Sequence, residues 1–235
     1  MKPHSPPGTP LLPAAPPAPP RSEAELEARL GRIAGHTLGE LAAAAGVEVP
    51  AELRRAKGWA GALLERTLGA TAGSHAGPDF PALGVELKSL PVDPRGQPLE
   101  STFVTSLDLA APPGWLASPV REKLARVAWV PLQGARGLPL AERRVGTGLL
   151  WSPSAEEETG LRRDYEEIVE LIEAGFGARV TGHRGVFLQL RPKGARASSL
   201  RWAVDEEGAP ARTAPRAFYL RPAFTSALLR RHFVY

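Results

Sequence analysis

The sequence predicts a mixed α/β (α+β) fold in which helices flank a central mixed sheet. Two helix-start signals of the capping-box type lie near the N-terminal end, Ser22 with Glu25 and Thr37 with Glu40. Several short runs alternate apolar with polar residues, which is typical of strands. Helices and strands follow one another without a regular β-α-β rhythm, so the sequence favours a mixed sheet.

The N-terminal part of the chain is predicted to hold a tail and three helices. Residues 1–21 are rich in proline and alanine, which predicts a disordered tail. Helices are expected over about 22–34, 37–46 and 59–68, from their capping residues and apolar stripes. Glu65 lies off the apolar stripe of the third helix. It is either solvated or faces a site from the helix edge, and its local pattern favours the solvated position.

The middle of the chain is predicted to be mainly strand. A strand over 83–88 and a second over 101–107 enclose a Pro-Arg-Gly turn at 94–96, which predicts a hairpin with a long connection. A helical turn is expected at 121–125, followed by a strand over 127–132.

The C-terminal part is predicted to begin with a long acidic helix over 153–174. Residues 179–181 and 186–190 flank a Gly-His-Arg-Gly turn and therefore predict a second hairpin. A short strand over 218–220 and a final helix over 225–232 complete the predicted elements.

Composition excludes several classes of protein. The chain has 235 residues and no cysteine, so it has no structural disulfide and no thiolate zinc site. No apolar stretch approaches the ~20 residues that span a membrane, and no signal-peptide core is present, so we expect a cytoplasmic protein. The net charge of +4 is compatible with a polyanionic partner.

The most informative local pattern consists of Asp79, Glu86 and Lys88, which form D-x6-E-x-K. Glu86 and Lys88 alternate with Val85 and Leu87, so their side chains are expected on one face of a half-buried strand. Asp79 follows Gly-Pro, where a turn can bring its carboxylate beside that of Glu86.

This set of side chains suits phosphodiester hydrolysis. Two carboxylates can hold Mg²⁺, which prefers oxygen ligands and keeps several waters. The metal polarises a phosphate and acidifies a water, and a lysine can orient that water. The alternative is a surface hairpin in which Glu86 and Lys88 are simply solvated.

Lysine is scarce in this chain, with 5 lysines against 24 arginines. Positions that retain lysine are candidates for sites where a compact ammonium is required, although chance retention explains any single one equally well. Besides Lys2 in the tail, these positions are Lys57, Lys88, Lys123 and Lys193.

Long segments of the chain resemble the MutH family of methyl-directed mismatch-repair endonucleases, which belong to the PD-(D/E)xK, restriction-endonuclease-like superfamily. The resemblance covers about residues 22–235. It rests on these ordered segments: 35–41, 57–59, 63–65, 79–88, 98–100, 102–104, 145–146, 150–153, 190–193, 218–220 and 224–229.

The resemblance implies roles for individual residues. Metal ligands would be Asp79, Glu86 and Glu65, which reverses the preference for a solvated Glu65. Lys88 would position water, and Lys123 would reach the active site from the other lobe. Positions implied to contact DNA are Lys57 and Phe103, the base-reading residues Arg191, Pro192 and Lys193, and Tyr219, which would sense adenine methylation.

The resemblance also implies an architecture and an activity. A catalytic lobe of about residues 22–113 and a DNA-recognition lobe of about 114–235 would flank a DNA cleft. The protein would be a monomer that uses Mg²⁺ to nick the unmethylated strand of double-stranded DNA at hemimethylated GATC sites, activated by MutL. Two alternatives stay open at this point: a stand-alone GATC-specific restriction endonuclease, and a non-catalytic DNA-binding module.

Overall fold

The computed structural model describes residues 15–51, 58–73, 77–135, 137–177, 179–180, 182–193 and 200–233. In this part of the chain, helices and strands are mixed, which confirms the predicted α/β class. The helices are α1 (Glu23–Ile33), α2 (Leu38–Ala45), α3 (Trp59–Leu68), α4 (Pro119–Ala125), α5 (Ala155–Leu171) and α6 (Pro222–His232). The strands are β1 (Glu86–Val92), β2 (Thr102–Leu107), β3 (Val127–Gln133), β4 (Leu149–Trp151), β5 (Leu188–Pro192), β6 (Arg201–Val204), β7 (Pro210–Thr213) and β8 (Arg216–Leu220).

The chain divides into two compact units. The first comprises residues 1–94 and 128–150, and the second comprises residues 95–127 and 151–235. The predicted tail lies outside the described residues as far as position 14. Beyond it, the Ala18 carbonyl accepts a hydrogen bond of 2.7 Å from the Arg29 guanidinium, so this end of the tail contacts α1.

The first unit packs α1, α2 and α3 against a three-stranded sheet in the order β1-β3-β4. Local capping explains where two of these helices begin. Ser22 Oγ accepts from the Glu25 amide, and Thr37 with Glu40 forms both hydrogen bonds of a capping box. The core includes Leu26, Leu30, Leu38, Leu41, Leu64, Leu68, Val85, Leu87, Ala128 and Val130.

The second unit is built on an antiparallel sheet in the order β2-β8-β5, with a separate β6-β7 ribbon. One face of the sheet packs against α5 and is covered by aromatic side chains. The rings of Tyr165 and Phe218 lie 5.2 Å apart, and those of Tyr165 and Trp115 lie 5.5 Å apart. A capping box of Ser154 with Glu157 begins α5.

Both predicted hairpins are wrong. β1 pairs with β3, and β2 pairs with β8, so β1 and β2 are not partners in one sheet. β5 pairs with β8, and of its predicted partner residues 179–181, residues 179 and 180 are not in a strand, while 181 lies outside the described residues. The sequence interpretation also missed β4, β6 and β7. Within the described residues, no helix is both long and apolar enough to span a membrane.

Candidate active site and nucleic-acid interface

A tight turn brings Asp79 next to β1 in the first unit. Phe80 and Val85 exchange backbone hydrogen bonds of 2.9 and 3.3 Å, and Gly84 closes the turn with a φ of +65°. Because glycine adopts this left-handed conformation without steric cost, the chain folds back on itself here. The Asp79 carboxylate then accepts a hydrogen bond of 2.7 Å from the Leu87 amide, one residue from Glu86.

Glu86 and Lys88 lie on the same face of β1, as the alternation predicted. Lys88 Nζ lies 2.8 Å from Glu86 Oε1, and the two side chains are 7% and 6% exposed. Val85 and Leu87 enter the hydrophobic core on the opposite face. The strand is therefore buried on both faces rather than half-buried, and the alternative of a solvated surface hairpin is wrong.

Burial gives this ion pair an unfavourable desolvation energy. Each charge loses water, and the mutual attraction offsets this loss only where geometry and further hydrogen bonds are good. Apolar residues of similar size would often stabilise such a position equally well or better. The pair Glu86–Lys88 is therefore more easily explained by chemistry than by stability.

Glu65 lies on α3 and is half-buried. Among the residues that the structure describes, no group of three or more Asp, Glu, His or Cys side chains could hold a metal ion. Asp79 and Glu86 nevertheless fit a hard divalent cation by chemistry, because carboxylate oxygens are its preferred ligands and Mg²⁺ keeps several waters. The part of Glu65 in metal binding stays a prediction.

In the second unit, predicted DNA-contacting residues come together on the outer face of the β2-β8-β5 sheet. Tyr219 on β8 is paired with Phe103 on β2 and with Gln189 on β5. Since side chains alternate along a strand, Arg191 shares this face with Gln189. We call Phe103, Gln189, Arg191, Lys193 and Tyr219 the cation–aromatic face.

Cations and rings contact each other directly on this face. The rings of Phe103 and Tyr219 meet edge to face with centroids 5.6 Å apart. The Arg191 guanidinium lies 5.6 Å from the Tyr219 ring, and Lys193 Nζ lies 4.4 Å from the Phe103 ring. Cation–π attraction contributes about 0.5–1 kcal/mol at exposed sites and favours these positions of the two long side chains.

Serine and glutamine side chains complete the face, and the sequence interpretation missed them. Gln189 Nε2 donates to Ser101 Oγ at 2.7 Å, and Arg191 donates to the same oxygen at 3.3 Å. Lys193 Nζ donates to Ser106 Oγ at 2.9 Å. The alternation of Gln189, Arg191 and Lys193 is visible in the sequence and could have indicated a common face.

Three predicted site residues remain, which are Lys123, Pro192 and Lys57. Lys123 is half-buried on α4, in the second unit. Pro192 is the exposed last residue of β5. Lys57 lies outside the described residues.

Comparisons with known proteins decide the family. The family model described as "DNA mismatch repair enzyme MutH" matches residues 68–164. A DNA mismatch repair protein MutH from Serratia proteamaculans is 52% identical over 91% of this chain and 95% of its own length. Proteins of that name from Salmonella paratyphi B and Salmonella typhimurium are each 55% identical, over 92% of this chain and 94% of their own lengths.

The chain belongs to the MutH family. The expectation of a MutH DNA mismatch-repair endonuclease is thereby confirmed. The MutH model covers Asp79, Glu86, Lys88 and Lys123, and membership of this nuclease family suggests dependence on a divalent metal. These relatives are named mismatch repair proteins, which gives no support to a restriction enzyme or a non-catalytic module.

Proposed function

We propose that the protein is a Mg²⁺-dependent endonuclease that nicks the unmethylated strand of DNA at hemimethylated GATC sites. The observation that carries this proposal is the buried Glu86–Lys88 pair. The Asp79 carboxylate is held beside this pair by its hydrogen bond to the amide of Leu87, the residue between Glu86 and Lys88. In a family of mismatch repair enzymes, such a cluster is best explained as the hydrolytic centre.

The roles of the catalytic residues follow from their chemistry. Asp79 and Glu86, with Glu65, would hold Mg²⁺, which when bound polarises the scissile phosphate and acidifies a water. Lys88 orients the attacking water and compensates charge that develops on the phosphate. In this proposal Lys123 also assists near the phosphate.

The cation–aromatic face would read the DNA sequence. An arginine can donate two hydrogen bonds to guanine O6 and N7 in the major groove, which suits the exposed Arg191. Pro192 and Lys193 would read bases together with Arg191, and Lys57 and Phe103 would lie near the DNA. A methyl on adenine N6 replaces a donor hydrogen and adds bulk, so close packing against Tyr219 distinguishes the two states.

The proposal includes the partners and setting that the family resemblance implies. Its substrate is double-stranded DNA, the protein is a monomer in the cytoplasm, and MutL activates it. The first compact unit (residues 1–94 and 128–150), which holds Asp79, Glu86 and Lys88, would supply the chemistry, and the second (residues 95–127 and 151–235), which holds the cation–aromatic face, the base reading.

A plasmid with one GATC site tests the substrate assignment. Three forms are compared in Mg²⁺, with and without MutL and ATP: unmethylated, hemimethylated and fully methylated. We expect nicks in the unmethylated strand of the hemimethylated form, stimulated by MutL, and no cleavage of the fully methylated form. Equal cleavage of all three forms would contradict methyl sensing, and double-strand breaks without MutL would indicate a restriction enzyme.

A further inference from the structure

The loop that leads into β5 is held by charged side chains on both of its backbone edges. This entry loop (residues 182–187) directly precedes the strand that carries Gln189 and Arg191. Its backbone N–H groups contact a carboxylate on α5, and its carbonyl groups contact a guanidinium at the start of α6.

The Asp164 carboxylate accepts hydrogen bonds from the backbone amides at the junction of the entry loop and β5. Its side chain is 1% exposed, and Oδ2 accepts hydrogen bonds from Val186, Phe187 and Leu188 at 2.8, 2.5 and 3.0 Å. The other carboxylate oxygen lies 3.7 Å from the exposed Arg163 guanidinium. Three donors on one buried oxygen fix the direction in which the chain enters β5, because each hydrogen bond restricts one peptide plane.

The Arg221 guanidinium binds the carbonyl groups of the entry loop. Its guanidinium donates to the carbonyls of Gly182, Arg184 and Gly185 at 2.7, 2.9 and 2.9 Å. Its own amide donates to the Phe187 carbonyl at 2.9 Å. Arg221 immediately follows β8, so the same residue ties the loop to the strand that carries Tyr219.

Two glycines make this arrangement possible. Gly185 has a φ of +79°, and a Cβ there would overlap the Leu188 carbonyl oxygen. Gly160 lies one helical turn before Asp164 on α5, and a Cβ there would overlap the Phe187 ring. Glycine at both positions therefore allows the close approach of the loop backbone, the Phe187 ring and α5.

We propose that Asp164 and Arg221 are positioning residues that hold β5 and the end of β8 in register for DNA reading. This inference rests on the proposed function. Misplacement of reading or reacting groups by about 1 Å costs about 100-fold in rate, so a preset loop matters for specificity. Asp164 and Arg221 act through Gln189, Arg191 and Tyr219 and need not contact DNA.

The test compares Asp164→Ala and Asp164→Asn with a matched control, Tyr165→Phe. The control changes the next residue of α5 and removes a hydrogen bond of 2.6 Å from its hydroxyl to the Pro113 carbonyl, without touching the entry loop. The first readout is the ratio of nicking rates on a GATC duplex and on a duplex with one base pair of the site changed. We expect Asp164→Ala to lower this ratio by about 10- to 100-fold. Asp164→Asn, which keeps an acceptor oxygen, should restore part of it, and Tyr165→Phe should keep the wild-type ratio.

The second readout is amide hydrogen exchange of residues 186–192 in the full chain without DNA. Faster exchange there in Asp164→Ala, but not in Tyr165→Phe, supports the proposal. A wild-type ratio or unchanged exchange in Asp164→Ala overturns it, and if that variant fails to fold, Asp164→Asn decides by the same criteria. If the wild-type protein itself shows no preference for GATC, the proposed function fails, while the exchange measurement still decides whether Asp164 positions β5.

Discussion

At the scale of single residues, the buried pair of Lys88 and Glu86 makes a specific stability prediction. Lys88→Met leaves the Glu86 carboxylate buried without its ammonium partner, which should lower the free energy of unfolding by about 3–5 kcal/mol. The double variant Glu86→Gln with Lys88→Met should regain most of that loss, because both buried charges are then removed. Urea unfolding of the single and double variants measures both effects. Additive losses would show that the two side chains are not coupled.

Because the Tyr165 hydroxyl is buried, we expect the free energy of unfolding to fall at alkaline pH. Burial, with a smaller contribution from Glu173, raises the pKa of the Tyr165 hydroxyl from 10.0 to about 12. Its neutral form therefore stabilises the folded state fully below pH 10, and this contribution is lost as the pH rises towards 12. The difference in unfolding free energy between wild type and Tyr165→Phe should shrink across this window. A difference that is constant with pH would contradict the shift.

At the scale of elements, two helical glycines should respond to alanine in opposite directions. Gly31 on α1 has free space where a Cβ would lie, so Gly31→Ala should stabilise the protein by about 0.5–1 kcal/mol through helix propensity. Gly160→Ala on α5 would place a Cβ in the Phe187 ring and should destabilise the protein despite the same propensity gain. Thermal unfolding of both variants compares them directly. A stabilised Gly160→Ala would show that Phe187 moves aside without cost.

Elements with local signals were predictable from the sequence, whereas strand partners were not. The helices that begin at Ser22 and Thr37 were found because their capping hydrogen bonds join residues three apart. β2 was located to within one residue, whereas β1 covers Glu86–Val92 and shares only residues 86–88 with the predicted strand. Local turn residues carry no information about distant partners. The backbone edges of β1 and β2 pair with β3 and β8, which lie far along the chain.

The candidate site shows the same limit. Alternation placed Glu86 and Lys88 on one face of β1, but their burial depends on packing that no local pattern reports. The role of Asp164 in binding the entry loop could not be predicted from the sequence, because its three hydrogen-bond donors lie 22 to 24 residues away. An acidic residue on an acidic helix gives no reason to expect burial.

At the scale of the whole molecule, a bound divalent cation should stabilise the fold. A ligand that binds only the folded state adds about 2.7 kcal/mol at 100 times its dissociation constant. Mg²⁺ should therefore raise the thermal midpoint of the wild-type protein, and Glu86→Gln should reduce this rise. Glu40→Gln is a suitable control because that carboxylate caps α2. An equal rise in all three proteins would show that Mg²⁺ does not act through Glu86.

The central claim is that Glu86 and Lys88 perform strand cleavage and do not merely stabilise the fold. Its most direct test is nicking of a hemimethylated GATC plasmid with Mg²⁺, MutL and ATP, measured beside duplex binding, for wild type, Glu86→Gln and Lys88→Met. The account predicts a fall in nicking rate of at least about 100-fold for each variant, with duplex binding largely retained. Nicking at close to the wild-type rate by either folded variant would contradict it.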